Sequence, residues 1–405
     1  MMLIERSKWY NNAVSPVLFM IDDLANAWVD TNHNGAVDAG EDWGFFKDEE
    51  QSSFRFLKEH ILHAHPEVKV TFFVPVGARV GMIRKPVCRM VSYPINADED
   101  SKAFFRSIHQ DSRFELAYHG TTHGIVGEEA RDFVQEWASF LSLDEALARI
   151  EEGTQIYSDV IGERPAGGKY CGYASNEFSD ASIDEAGFRW WCRFWNRGRA
   201  DGSDDPSCGY DSDPVTNYDV KRFGKNGVLD IPSTVNGALL NGLYHGGIGM
   251  KAIVKRLFKR SFIRWKLREI DELLEKRLVI SIQEHIAPSR DDGKRQSPNI
   301  FDDRESLLQI FKHLNGKKVW YCTCTELADY VNLRDHVSVT PIGDSQFVLQ
   351  HDAECRGKRI SLTCSEWRPF KIMLPGGDMV NVDKGEVNIE VMEGRYTIIM
   401  DSKQA

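Results

Sequence analysis

Val17-Leu18-Phe19-Met20-Ile21-Asp22-Asp23 is a wholly apolar run that ends on two adjacent carboxylates. A continuous apolar run of this length reads as a parallel strand buried on both faces. Successive side chains on a strand point to opposite sides, so Asp22 and Asp23 can do different jobs at its end. A single Asp there would read as a solvated turn or helix cap; two after such a run suggest a site. Outward from it, Phe114-Glu115-Leu116-Ala117-Tyr118-His119-Gly120-Thr121-Thr122-His123 is a second short strand, carrying two imidazoles four residues apart. Neutral His is a common zinc ligand, and a tight turn after a strand can aim both rings at one point. With 12 histidines in the chain, such a pair also arises by chance, and spacing alone leaves both readings open.

Strand and helix patterns alternate around these stretches. Ser53 to His65 has helical spacing of Phe54, Leu57, Ile61 and Leu62, followed by a strand over Val68–Val74. Residues 77–100 read as an irregular loop with Pro86 and Pro94, and Leu143 to Ile161 as a helix ending before Gly162. Strand-like runs follow at Lys169–Tyr173, Arg189–Trp195, Gly227–Pro232, Leu278–Glu284 and Lys318–Thr323, with a helix at Ser306–Leu314. Residues 199–227, rich in Gly, Asp, Ser and Pro, read as a long surface loop. This alternation predicts an α/β fold, a distorted or incomplete (β/α) barrel over residues 1–334. From about His336 the pattern changes to short strand-like runs separated by turn signals, which predicts a small all-β, sandwich-like domain over 335–405.

The order of the Asp-Asp strand end, the Val70-Thr71-Phe72-Phe73-Val74 strand, the His-x-x-x-His pair and the late run Leu278-Val279-Ile280-Ser281-Ile282-Gln283-Glu284-His285 resembles the polysaccharide deacetylase (NodB-homology) family over roughly residues 14 to 330. The resemblance implies that Asp23, His119 and His123 hold a divalent transition metal, most plausibly zinc, that Asp22 is the base that deprotonates water, and that His285 protonates the departing amine. The implied reaction is hydrolysis of N-acetyl, less favourably O-acetyl, groups on a glycan or glycan precursor. One departure stands out: where the family carries an Arg followed by Pro residues, this chain has Lys169-Tyr170. Lys169 can keep the charge beside the catalytic Asp but not the bidentate fork; it also reads as a plain rim lysine. Tyr170 and Trp191, in strongly aromatic stretches, read as a sugar-stacking wall or as core.

A separate pattern lies at Asp30-Thr31-Asn32-His33-Asn34-Gly35-Ala36-Val37-Asp38-Ala39-Gly40-Glu41. Asp30, Asn32, Asn34, Asp38 and Glu41 as side-chain ligands and Ala36 through its carbonyl match a calcium loop, with Gly35 at the turn. The alternative is an acidic, Asn/Gly-rich surface loop. Residues 251–268 contain eight basic residues and no acid, interleaved with apolar ones, and read either as a peripheral contact for an anionic surface or as a solvated helix face.

Composition bounds the rest. Hydrophobic residues at 42% and charged ones at 27% fit a globular enzyme, and a net charge of −11 argues against a nucleic-acid binder. Eight cysteines in 405 residues do not make a disulfide scaffold, and a reduced, cytoplasmic setting is expected. Met1 to Lys8 lacks the pattern of a secretory signal, and no stretch approaches a membrane span. Two rival functions share the same residues: a non-sugar amidase on the same barrel, and a glycan-binding or assembly protein that has lost turnover.

Overall fold

The computed structural model describes residues 4–195, 216–244, 258–366 and 368–400. The chain divides into two compact units, one formed by residues 17–316 with 321–325, the other by 1–16, 317–320 and 326–405.

The larger unit is built on a parallel sheet. Its strands are β1 (Ser15–Asp22), β2 (Val70–Val74), β3 (Phe114–Tyr118), β4 (Gly167–Lys169), β5 (Trp190–Cys192), β6 (Val228–Asp230), β7 (Val235–Asn236) and β8 (Ile280–His285). They lie in the order β6-β5-β4-β3-β2-β1-β8-β7, with Lys221–Phe223 antiparallel on the outer edge of β6. The two edge strands β6 and β7 follow each other in the chain, so the sheet must curl until its edges meet. Residues 231–234 join them: Ile231 N–H donates to Trp191 O and Ser233 N–H to Phe194 O on one side, while Thr234 N–H donates to Ser281 O on the other. The result is a distorted (β/α) barrel closed by a bend. Every residue of β1 and β2 is buried, as their mostly apolar composition favours.

Helices fill the crossovers. Leu143–Ile161 starts where Ser142 accepts the N–H of Glu145 and stops at Gly162, whose φ of 93° is left-handed. Gly153 in its middle is a contact requirement, because a Cβ there would come within 2.2 Å of Tyr118 Oη and 2.4 Å of Thr121 Oγ1. The supposedly irregular 77–100 contains strand Arg89–Ser92 and the first turn of helix Glu99–Gln110, capped by Asp98. Of the expected strand Lys169–Tyr173 only Lys169 lies in the observed strand Gly167–Lys169; Cys171–Tyr173 is a tight turn with Gly172 and Tyr173 at φ 55° and 57°. No described helix is long and apolar enough to cross a membrane.

The smaller unit is a pair of antiparallel sheets, one of five strands spanning Val337–Met400 and one of three that includes Ile4–Arg6. Ile4, Ile360, Leu362 and Ile389 from one sheet share a core with Phe347, Phe370, Ile372 and Tyr396 from the other. The expected boundary at 334/335 is therefore corrected: residues 326–405 and also 1–16 fall in this unit, whose strand Ile4–Arg6 pairs Ile4 with Cys364 and Arg6 with Leu362.

Candidate active site

The carboxyl ends of β1, β3, β4 and β8 converge, the end of a (β/α) barrel where reacting groups gather. Asp22 and His285 are the last residues of β1 and β8 and are register partners, so the backbone ladder itself sets them side by side. Asp23 follows at φ 68°, its N–H tied to Phe73 O at 2.9 Å. His123 is also left-handed, at φ 74°. Non-glycine residues in this region carry strain that the surrounding structure must hold, and such positions concentrate at functional sites.

Glu136 holds the turn that carries the His pair. Its carboxylate accepts the backbone N–H groups of Thr121, Thr122 and His123 at 2.9, 2.8 and 2.7 Å. His119 donates Nδ1–H to Lys169 O at 3.0 Å, since a carbonyl can only accept; this leaves Nε2 with its lone pair 3.8 Å from Asp23 Oδ1. His123 Nε2 lies 3.0 Å from the same oxygen. Asp23 Oδ1 and His123 Nδ1 are nonetheless buried without a hydrogen bond of ordinary geometry. Arg79 occupies the other oxygen, with Nη2 3.2 Å from Asp23 Oδ2 and its guanidinium 4.7 Å above the Trp43 ring.

Burial alone would raise the Asp23 carboxyl, but Arg79 and His123 hold it well below the usual carboxylate range. Burial pulls His119 down to about 4 against the opposing pull of Asp22, so its ring is neutral and able to donate a lone pair. His285 is also pulled down by burial, partly offset by Asp22 and Asp23, and donates Nδ1–H to Pro298 O at 2.7 Å. A neutral imidazole at His119, a second imidazole at His123 and a deprotonated carboxylate at Asp23 are a donor set that fits a divalent transition ion.

Lys169 is fully buried and is no rim lysine. Its Nζ lies 2.9 Å from Asp22, bonds Gln283, and sits 4.4 Å over the Tyr173 ring. It thus donates to Asp22 and to Gln283 from within the barrel. Tyr170 and Trp191, in contrast, form no substrate wall. Both are fully buried: Tyr170 donates its hydroxyl to Asp180, and Trp191 packs against Phe188, Trp137 and Tyr170. A parallel strand covered on both faces has no open side for an aromatic to present.

The Asp30–Glu41 loop is compact and satisfied from within. Asp30 accepts the N–H groups of Asn34 and Gly35, Glu41 those of Thr31 and Asp38, and Asp38 the side-chain amides of Asn32 and Asn34. Ala36 N–H donates to Asn34 Oδ1. Of the basic stretch 251–268, residues 251–257 lie outside the described residues; the rest enters helix Lys259–Glu275, where Trp265 is exposed, as is Phe258 just before it.

Arg79, Glu136, Cys171 and Gln283 were not singled out by sequence. Arg79 and Glu136 lie in segments with no motif of their own, and Cys171 and Gln283 lie in strand-like runs whose pattern says nothing of which side chain enters the site.

No protein-family profile matches the chain, and no curated protein does. Solved structures align over most of it. One from Pseudomonas aeruginosa, described as a polysaccharide deacetylase, is 14% identical with a TM-score of 0.47, covering 80% of this chain and 93% of its own. Another so described, from Mycobacterium smegmatis, is 15% identical with a TM-score of 0.45, covering 82% and 94%. A 4-alpha-glucanotransferase from Thermococcus litoralis is 14% identical with a TM-score of 0.41, covering 78% of this chain and 40% of its own.

Proposed function

We propose that the chain is a metal-dependent hydrolase of the polysaccharide deacetylase type that removes N-acetyl groups from amino sugars of a glycan or glycan precursor. The observation that carries this reading is the register pairing of Asp22 with His285 beside the buried Asp23/His119/His123 set, in which Asp23 and His123 are left-handed. A divalent transition ion, held by Asp23, His119 and His123, would supply Lewis acidity toward the acyl oxygen and make water more acidic. The remaining work belongs to the protein's own groups.

Asp22 takes the proton from the attacking water, and Lys169 and Gln283 fix the rotamer from which it does so. His285 delivers a proton to the leaving nitrogen, which an amide needs because an amide anion is a very poor leaving group. The Nδ1–H bond to Pro298 O keeps Nε2 as the nitrogen free to carry that proton. Glu136 and Arg79 act one step back, holding His123 and Asp23 in place.

Acetate release from a panel of N-acetylated oligosaccharides, run beside simple N-acetylated amides and with metal content measured on the same preparation, tests the reading. Release from the sugars is expected. Release only from simple amides would make the chain a non-sugar amidase, and none from either, with metal bound, would leave a binding protein.

A further inference from the structure

We propose that Cys171 is a fourth ligand of the metal, its thiolate sharing the ion with Asp23, His119 and His123. This rests on the metal reading above and goes beyond it, because the resemblance implies a carboxylate and two imidazoles only.

Two observations carry it. The sulfur of Cys171 and one ligand nitrogen each of His119 and His123 lie within 4.8 Å of one another, and all three residues are buried. Zinc bonds of about 2.1 Å to nitrogen and 2.3 Å to sulfur put N and S roughly 3.6 Å apart around a tetrahedral ion, so drawing in by about an ångström brings these three atoms to bonding range of one ion. Second, Cys171 is held where it is. It opens the tight turn Cys171–Tyr173, in which two consecutive residues are left-handed, and a Cβ on Gly172 would come within 2.4 Å of Gln135.

On binding, the Cys171 thiol loses its proton to solvent and gives a sulfur lone pair to the metal. The S–H contact to His119 O at 3.0 Å gives way to the metal bond. A thiolate in the set tilts selectivity toward zinc and cobalt and away from magnesium and calcium.

Cobalt(II) reports sulfur directly. Metal-free full-length protein titrated with cobalt is expected to bind one equivalent and gain an intense near-ultraviolet thiolate-to-cobalt charge-transfer band. Cys171→Ser should lose that band, and Cys192→Ser should keep it. Zinc uptake followed in weakly buffered solution should release about one more proton from wild type than from Cys171→Ser. Cobalt bound by wild type without the band, or a band that survives Cys171→Ser, overturns the ligand assignment and leaves the three-residue metal site standing. Failure of wild type to take up cobalt or zinc at all overturns the metal site itself.

Discussion

The loop Asp30–Glu41 and the cluster at the ends of β1 and β3 both gather metal-type donors, yet they stand in opposite states. In the loop each acid already accepts backbone or side-chain N–H groups, and Asn32, Asn34 and Asp38 are exposed. In the cluster His123 Nδ1 is buried without a hydrogen bond, Asp23 Oδ1 meets only the imidazole nitrogens of His123 at 3.0 Å and His119 at 3.8 Å, and both Asp23 and His123 hold left-handed backbones. Leaving a buried polar atom unmet costs about 1–3 kcal/mol, and a strained backbone a similar amount. A cation at the loop has to displace bonds that are already made; a cation at the cluster fills a need. Donor spacing nominates a site, but unmet polar capacity and retained strain are what distinguish a site from a contented turn.

The largest effect that can break this contrast is at Asp22. Asp22→Asn should lower acetate release by on the order of 10² to 10⁴-fold while metal stays bound, because it removes a base and not a ligand. His119→Ala and His123→Ala should each empty the site without unfolding the chain. Full metal content in both, read by elemental analysis, would show that the cluster's unmet atoms are not waiting for an ion.

Next in size is Glu136→Ala, which strips the acceptor from three backbone donors. We expect a loss of about 4 kcal/mol in urea unfolding and metal affinity weaker by roughly 10 to 100-fold. Unchanged unfolding would mean that the His turn holds its shape unaided.

Asp42, just after the loop, sharpens the contrast, since it is buried like the cluster but satisfied like the loop. Burial raises its carboxyl to about 6 from an ordinary 3.8, against four backbone N–H groups that favour the charge. The folded chain therefore binds this proton more tightly than the unfolded one. The stability this gives is complete below about pH 4 and is lost as pH rises through about 6, a fall of about 3 kcal/mol. Asp42→Asn should flatten the stability curve across that window. A slope that persists in the variant would assign it to other acids.

The smallest effect belongs to the loop. Calcium should bind wild type weakly, Glu41→Gln should abolish the calorimetric signal, and metal at the cluster should be unchanged. No calcium heat from wild type would make the loop a plain surface turn.

Where sequence was enough, the signal was local. Asp22, Asp23, His119 and His123 sit at the ends of runs too apolar to lie anywhere but in a buried strand, and Leu143–Ile161 carries its own cap and stop. Where it failed, the deciding neighbour was distant. The alternation around Trp191 says which residues share a face, not whether that face meets solvent or Trp137. Glu136 and Arg79 have no motif; they matter because the fold delivers a carboxylate to three N–H groups and a guanidinium to Asp23. The helix Glu99–Gln110 was hidden by Pro94 and a polar start, though Phe104, Phe105 and Ile108 mark its buried face.

The pairing of β1 with β8 also bears on the order of assembly. Asp22 meets His285 across more than two hundred intervening residues, by a ladder that runs from Val17↔Ile280 to Asp22↔His285. Contacts so remote along the chain bear the largest loop-closure entropy and form late. Early compact intermediates, with β1, β2 and β3 already joined, would hold the Asp and His ligands together while the proton donor is still missing. Refolding chains should therefore capture metal before they recover turnover, with the lag between the two marking the moment the last strand docks.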